Sequence, residues 1–261
     1  MNRMWNMSDA PIGSWWSKML SLTAHEVRSP LTVVSGYLSM LLKSDRFGPL
    51  TEQQRHLLEE SQKSCGKIAS LLNELSDLSK LQAKIEMGEN LVKPKTADLH
   101  SLLRTAVEQL PPPLDRPIEI DLQLGSRPAP IGADPALLTE AFKWILGALR
   151  REVVTSDRLI VRERHITHNG APVYELQIGD EETLAVLEAE GADGRVVFCE
   201  WRGGNGFVLP RARRIIDAHG GRIWGPPDNP PNEAGRIVRR KAGARVVLPR
   251  ASRKRTAKRV V

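Results

Sequence analysis

Two apolar stripes at helical spacing, broken once, set the terms for the first third of this chain. Between about Ser14 and Lys43, Leu31, Val34, Leu38, Leu41 and Leu42 recur on one side of a helix, and "SDRFGPL" then stops the pattern with Gly48 and Pro49. The period resumes after Thr51, where Thr51 and Gln54 have the spacing of a capping box. It continues through Leu58, Cys65, Ile68, Leu71, Leu72, Leu75, Leu78 and Leu81. Two such helices joined by a short turn fold back as a hairpin. One partner helix cannot cover stripes of this length, so the pattern predicts a homodimer closed as a four-helix bundle.

After "KIEMGENLVKPKT" the character changes. "ADLHSLLRTAVEQL" reads as a helix closed by "PPP", "RPIEIDLQL" as a strand, and "DPALLTEAFKWILGAL" as a buried helix. "DRLIVRERHITH" and "VYELQIGD" read as strands, the second alternating Tyr174, Leu176 and Ile178 against Glu175, Gln177 and Gly179. "LPRARRIIDAHGGRIW" is a helix stopped by two glycines and followed by a strand, "KAGARVVLP" is a last strand, and "AVLEAEGADGRVVFCEW" reads partly as strand. The expected fold class is therefore α followed by α/β: a dimeric helical hairpin, then an α/β sandwich with mixed strands on one side and helices on the other. The divisions fall at 1–13 for an N-terminal extension, 14–86 for the hairpin, 95–250 for the sandwich and 251–261 for a basic tail.

A formal net charge of +7 invites a nucleic-acid partner, but six of the Lys and Arg residues lie in "RASRKRTAKRVV", which contains no acid. The body is nearly neutral, and nucleic acid is an unlikely partner for it. Cys65 and Cys199 are far apart and fit neither a disulfide framework nor a metal cluster, so a reducing cytoplasm is the expected compartment. No apolar run reaches the roughly 18 residues of a membrane span.

One stretch of the first helix, "LTAHEVRSPL", sets His25 beside Glu26 and places Pro30 five residues on. A proline there removes a backbone donor and crowds the carbonyl of Glu26, at about 3 kcal/mol, which bundle packing has to offset while the helix bends. An uncharged imidazole facing solvent is a nucleophile near neutral pH, and a neighbouring carboxylate can take the proton from its other ring nitrogen.

These residues resemble the catalytic core of bacterial two-component sensor histidine kinases. "HEVRSPL" matches that family's phosphoacceptor box, "LTEQQRHLLEESQKSCGKIASLLNELSDLSKL" resembles the second helix of its dimerisation and phosphotransfer domain, and "RRIIDAHGGRI" resembles the end of its ATP-binding domain. The resemblance implies that His25 carries phosphate, that Glu26 accepts its proton, and that Ser29 orients water for dephosphorylation. It also implies a response regulator receiver domain as partner, and ATP with magnesium as cofactors.

The second region departs from that pattern. The family's two magnesium-side asparagines fall on Trp144 and Ala148, and no asparagine occurs between Asn90 and Asn169. Alanine cannot ligate a metal, and tryptophan only donates. Arg151 keeps the charge of a phosphate-directed lysine. Asp180 stands where the family's adenine-binding aspartate belongs, and Gly204 and Gly206 match a second glycine box. Glu182 and Leu184 replace two expected glycines, and Val208 a third; Glu181 and Glu182 are expected to repel phosphate. The expectation is a phosphotransferase of the histidine kinase family, exchanging phosphate between His25 and a receiver aspartate, with self-phosphorylation from ATP impaired. The alternative is a non-catalytic pseudokinase that regulates another kinase or binds nucleic acid through its tail.

Overall fold

The computed structural model describes residues 12–43, 47–112, 116–153, 156–168, 170–189, 196–200, 206–226 and 242–251. The chain divides into two compact units, 1–91 and 92–261.

The first unit is the hairpin, α1 (Ile12–Lys43) and α2 (Glu52–Glu86). The capping box forms as read: Thr51 Oγ1 accepts from the Gln54 amide at 3.2 Å, and the Gln54 side chain accepts from the Thr51 amide at 3.0 Å. Gly48, at φ 81°, occupies the left-handed region in the connection, which a side chain there would oppose. Polar bonds tie the two helices together: Arg28 Nη2 donates to Asn73 Oδ1 at 3.1 Å, Gln62 Nε2 to Ser39 Oγ at 2.9 Å, and Ser79 Oγ to the Ser17 carbonyl. Apolar cover is partial. Cys65, Leu72 and Leu78 are buried, whereas Val34, Ile68, Leu71, Val33, Tyr37 and Met40 are exposed.

In the second unit, β1 (Lys95–Asp98) pairs antiparallel with β3 (Pro130–Ala133). The larger sheet has β2 (Glu119–Gln123), β4 (Arg158–His168), β5 (Ala171–Gly179), β6 (Val196–Val197), β7 (Arg222–Gly225) and β8 (Ala244–Pro249), in the order β2-β4-β5-β8-β7-β6. Only β2 and β4 run parallel among its neighbours. The helices are α3 (Leu99–Glu108), α4 (Pro135–Glu152), α5 (Glu181–Ala189) and α6 (Val208–Ala218). Asp98 and Asp134 cap α3 and α4, each carboxylate accepting an amide of the first turn.

Side chains alternate across the strands, so register decides which helix covers which face. Glu163 and His165 share a face with Leu176 and Tyr174, and on that face Glu163 bonds His100 of α3. Val246 and Leu248 extend it through β8. Helix α6 lies on the same side, since a Cβ on Gly221 would meet both Leu248 and Ile216. Helices α3, α4 and α6 pack together there, and Phe142, Ile145, Leu146 and Leu149 of α4 are wholly buried.

The expected arrangement of strands on one side and helices on the other holds for these three helices and fails for α5. The segment 185–201, read partly as strand, supplies β6 at Val196–Val197, while its first residues complete α5, which packs on the opposite face. Leu184 and Leu187 are buried with Ile160, and the Arg245 guanidinium donates to the Leu187 carbonyl. Glu175 and Gln177, the polar members of the β5 alternation, are consequently buried too, with Arg245 Nε 3.2 Å from Glu175 Oε1.

Candidate functional site

His25 sits midway along α1 with its side chain 72% exposed, and Glu26 beside it is 70% exposed. Its Nδ1 lies 3.5 Å from Glu26 Oε1, at the outer limit of a hydrogen bond. A carboxylate only accepts, so this contact favours the proton on Nδ1 and a lone pair on Nε2. Ala24, the preceding residue, is fully buried, which fixes the turn while His25 projects from it. Ser29 is exposed one turn further on, at the i+4 position that shares the His25 face. Helix α1 runs through Pro30 without interruption. Below the histidine, Arg28, Thr32, Ser35, Ser39, Cys65 and Asn73 line a groove of about 520 Å³ between the two helices.

The other five histidines are placed differently. His56 is exposed on α2 with no acid next to it in sequence. His100 Nε2 is buried 2.7 Å from Glu163 Oε2. His165 bridges Glu163 Oε1 at 3.1 Å and Arg250 Nη2 at 3.1 Å, and His168 packs edge-on against Trp224. His219 is locked: its Nδ1 donates to the Ile215 carbonyl at 2.7 Å, and its Nε2 accepts from the Asp134 amide at 3.0 Å. Both ring nitrogens are thus engaged in joining the end of α6 to the start of α4.

Residues 15–84 match the His Kinase A (phospho-acceptor) domain family. Over 79% of this chain there is 27% identity with the circadian input-output histidine kinase CikA of Synechococcus elongatus, covering 27% of that protein. The chain thus spans about a quarter of the length of the curated relatives it matches. Its fold resembles the Acinetobacter baumannii histidine kinase AdeS, with TM-score 0.53 at 17% identity over 87% of this chain and 98% of that one. It also resembles full-length ShkA, solved in complex with AMPPNP, with TM-score 0.53 at 20% identity over 90% of this chain and 47% of that one. Residues 15–84 are thus a phospho-acceptor domain, and the rest of the chain is similar to sensor histidine kinases.

The residues that the family resemblance assigns to a nucleotide have the following surroundings. Ala148 is fully buried in α4, and the Trp144 ring lies under the Arg211 guanidinium of α6, 4.5 Å from carbon to ring centroid. Arg151 is exposed in the last turn of α4. Gly206, at φ 55°, turns the chain into α6, and Gly204 lies outside the described residues.

Asp180 follows the last residue of β5, as expected, but it is only 7% exposed and its Oδ1 accepts the Thr183 amide at 2.9 Å. Its carbonyl accepts from Leu184 at 2.9 Å, beginning α5. Glu181 and Glu182 stand in the first turn of that helix, where negative charge is favoured, and Glu181 lies 3.7 Å from Arg162. Both acids thus have a structural setting at the start of α5 beside the charge they carry. Among the described residues no group of three or more His, Cys, Asp or Glu side chains is arranged to hold a metal ion, and no helix is long and apolar enough to cross a membrane. Trp144, Ala148 and the helix-capping Asp180 are what the structure holds at the positions that the family resemblance assigns to magnesium and adenine.

Sequence reasoning missed Arg211 and Thr183. Arg211 carries no motif. Thr183 was hidden by the comparison with a glycine loop, although Asp-Glu-Glu-Thr-Leu is a helix start in its own right.

Proposed function

We propose that this chain carries a phosphoryl group on His25 and exchanges it with the aspartate of a response regulator receiver, as a homodimer in a reducing cytoplasm, with little phosphorylation from ATP. In the loading direction the Nε2 lone pair attacks the phosphorus of the aspartyl phosphate. The P–O bond to the carboxyl breaks with its electron pair left on the carboxylate, and the N–P bond forms. Glu26 takes the Nδ1 proton, so the phosphoimidazole is neutral and not cationic. Transfer to the receiver is the reverse. Ser29, one turn away, offers a hydroxyl that orients water for hydrolysis.

The observation that carries this reading is the contact between Glu26 and Nδ1 of an exposed His25, inside a hairpin matching a phospho-acceptor domain. Exposed Val33, Val34, Tyr37, Met40, Ile68 and Leu71 support the homodimer, because a hairpin alone leaves them in water. Binding of AMPPNP by ShkA supports ATP use among relatives, and the Trp144, Ala148 and Asp180 environments argue against it here.

Phosphotransfer with a cognate receiver tests the main claim. His25→Gln is expected to abolish acid-labile label on this chain while leaving its circular dichroism and melting unchanged; label persisting on another histidine would overturn the assignment. Light scattering at micromolar concentration is expected to give twice the chain mass, and a monomer stable to dilution would remove the dimer from the reading.

A further inference from the structure

We infer that Asp180 and α5 have been converted into a sheet-covering structural element, so that this unit binds no ATP and the phosphoryl group on His25 must come from outside the chain. This deepens the function proposed above and rests on it for the role of His25.

The family resemblance draws a nucleotide site from α4, the end of β5 and the glycines before α6. Helices α4 and α6 lie on one face of the sheet. The segment after Asp180, which the resemblance assigns to the phosphate side, crosses to the other face. Three independent contacts hold it there. Thr183 fits against two glycines: a Cβ on Gly179 would stand 2.8 Å from the Thr183 side chain, and one on Gly243 would stand 2.5 Å from Thr183 Cγ2 and 3.2 Å from the Ile178 carbonyl. Leu184 and Leu187 are buried against Ile160. Arg162 Nη1 bonds Glu188 Oε1 at 2.7 Å while its Nη2 faces Glu181. Both ends of α5 are thereby fastened to β4.

The Asp180 carboxylate is already engaged: in a residue only 7% exposed, its Oδ1 accepts the Thr183 amide that begins α5. On the α4 side the asparagine positions are a buried alanine and a tryptophan covered by Arg211. The two halves of the expected site thus oppose nucleotide binding for separate reasons, one because its carboxylate caps a helix and one because its side chains cannot ligate magnesium.

Calorimetric titration of the full chain with magnesium and a non-hydrolysable ATP analogue, paired with melting curves, separates the outcomes. The wild type is expected to give no binding heat and no rise in melting temperature at millimolar analogue, where a micromolar site would raise it by several degrees. Asp180→Asn keeps a good capping residue and should leave melting unchanged, whereas Asp180→Ala should lower it by about 2 to 8 °C. Gly243→Ala should lower it as well, since Thr183 and the Ile178 carbonyl leave its methyl no room.

Magnesium-dependent micromolar binding that is lost in Asp180→Asn without a change in melting would overturn the inference. So would an Asp180→Ala variant that melts like wild type. Exchange with a receiver is read in its own assay, so a failure there strikes the His25 reading and a nucleotide signal strikes this one.

Discussion

The hairpin and the sheet unit treat their polar residues in opposite ways. His25 and Glu26 stand in solvent, with one long contact between them. Asp180, Glu163 and Glu175 are turned inward and held by amides, imidazoles or a guanidinium. A side chain in water can meet a new partner without loss to the fold. A buried carboxylate cannot change partners unless every bond it makes is replaced, because an unsatisfied buried charge costs several kcal/mol. The comparison teaches that a motif residue at the expected position is informative only with its bonding state: His25 is available and Asp180 is committed.

Substitution can sharpen this contrast. The largest difference is expected at Glu26→Gln, which keeps the shape and loses the proton acceptor. Transfer between His25 and the receiver should slow by about 100-fold or more, while stability stays within about 0.5 kcal/mol of wild type. A variant that transfers normally but melts early would reverse the comparison, making Glu26 the structural residue.

A smaller effect is expected from Glu163 in the sheet unit. Burial pushes its carboxyl pKa up, but the Gly125 amide and His100, each 2.7 Å away, outweigh burial and with His165 hold it below the usual value of 4.5. With the folded value depressed, the stabilisation is present above the ordinary carboxylate range and is lost as pH falls through the folded value. Melting followed downward from pH 6 should therefore show an acid-dependent loss that Glu163→Gln flattens. An identical pH profile in that variant would dissociate this cluster from acid stability.

The hairpin was legible because its signals are local. Stripe spacing, the Gly48 turn and the Thr51–Gln54 box each act within a few residues. The apolar spacing within α3 and α4 made them readable for the same reason. The strands β1 and β3 were missed because Lys-Thr-Ala-Asp and Pro-Ile-Gly-Ala each hold a single β-branched residue and no aromatic, and their pairing joins Lys95 to Ala133 across the whole of α3. Helix α5 was misread for another reason: its segment was judged against the glycines it lacks, and not by Asp180, two acids and Leu184 with Leu187, which together spell a capped helix. The face it would cover could not be read at all. That depends on Gly243, sixty positions beyond Thr183, leaving room for a threonine methyl group. His25 and Glu26 were visible as a pair, whereas the covering of Trp144 by Arg211 joins positions with no sequence relation.

Pro30 has a mechanical consequence for the reactive turn. Lacking an amide hydrogen, it leaves the Glu26 carbonyl without the rung that would tie it to the next turn, one residue beyond His25. The helix can flex at that level without breaking a main-chain bond, because the one that would resist is missing already. A twist arriving along α1 is thus concentrated where the imidazole is mounted, and its direction in space becomes the quantity most readily altered by strain from either end of the rod.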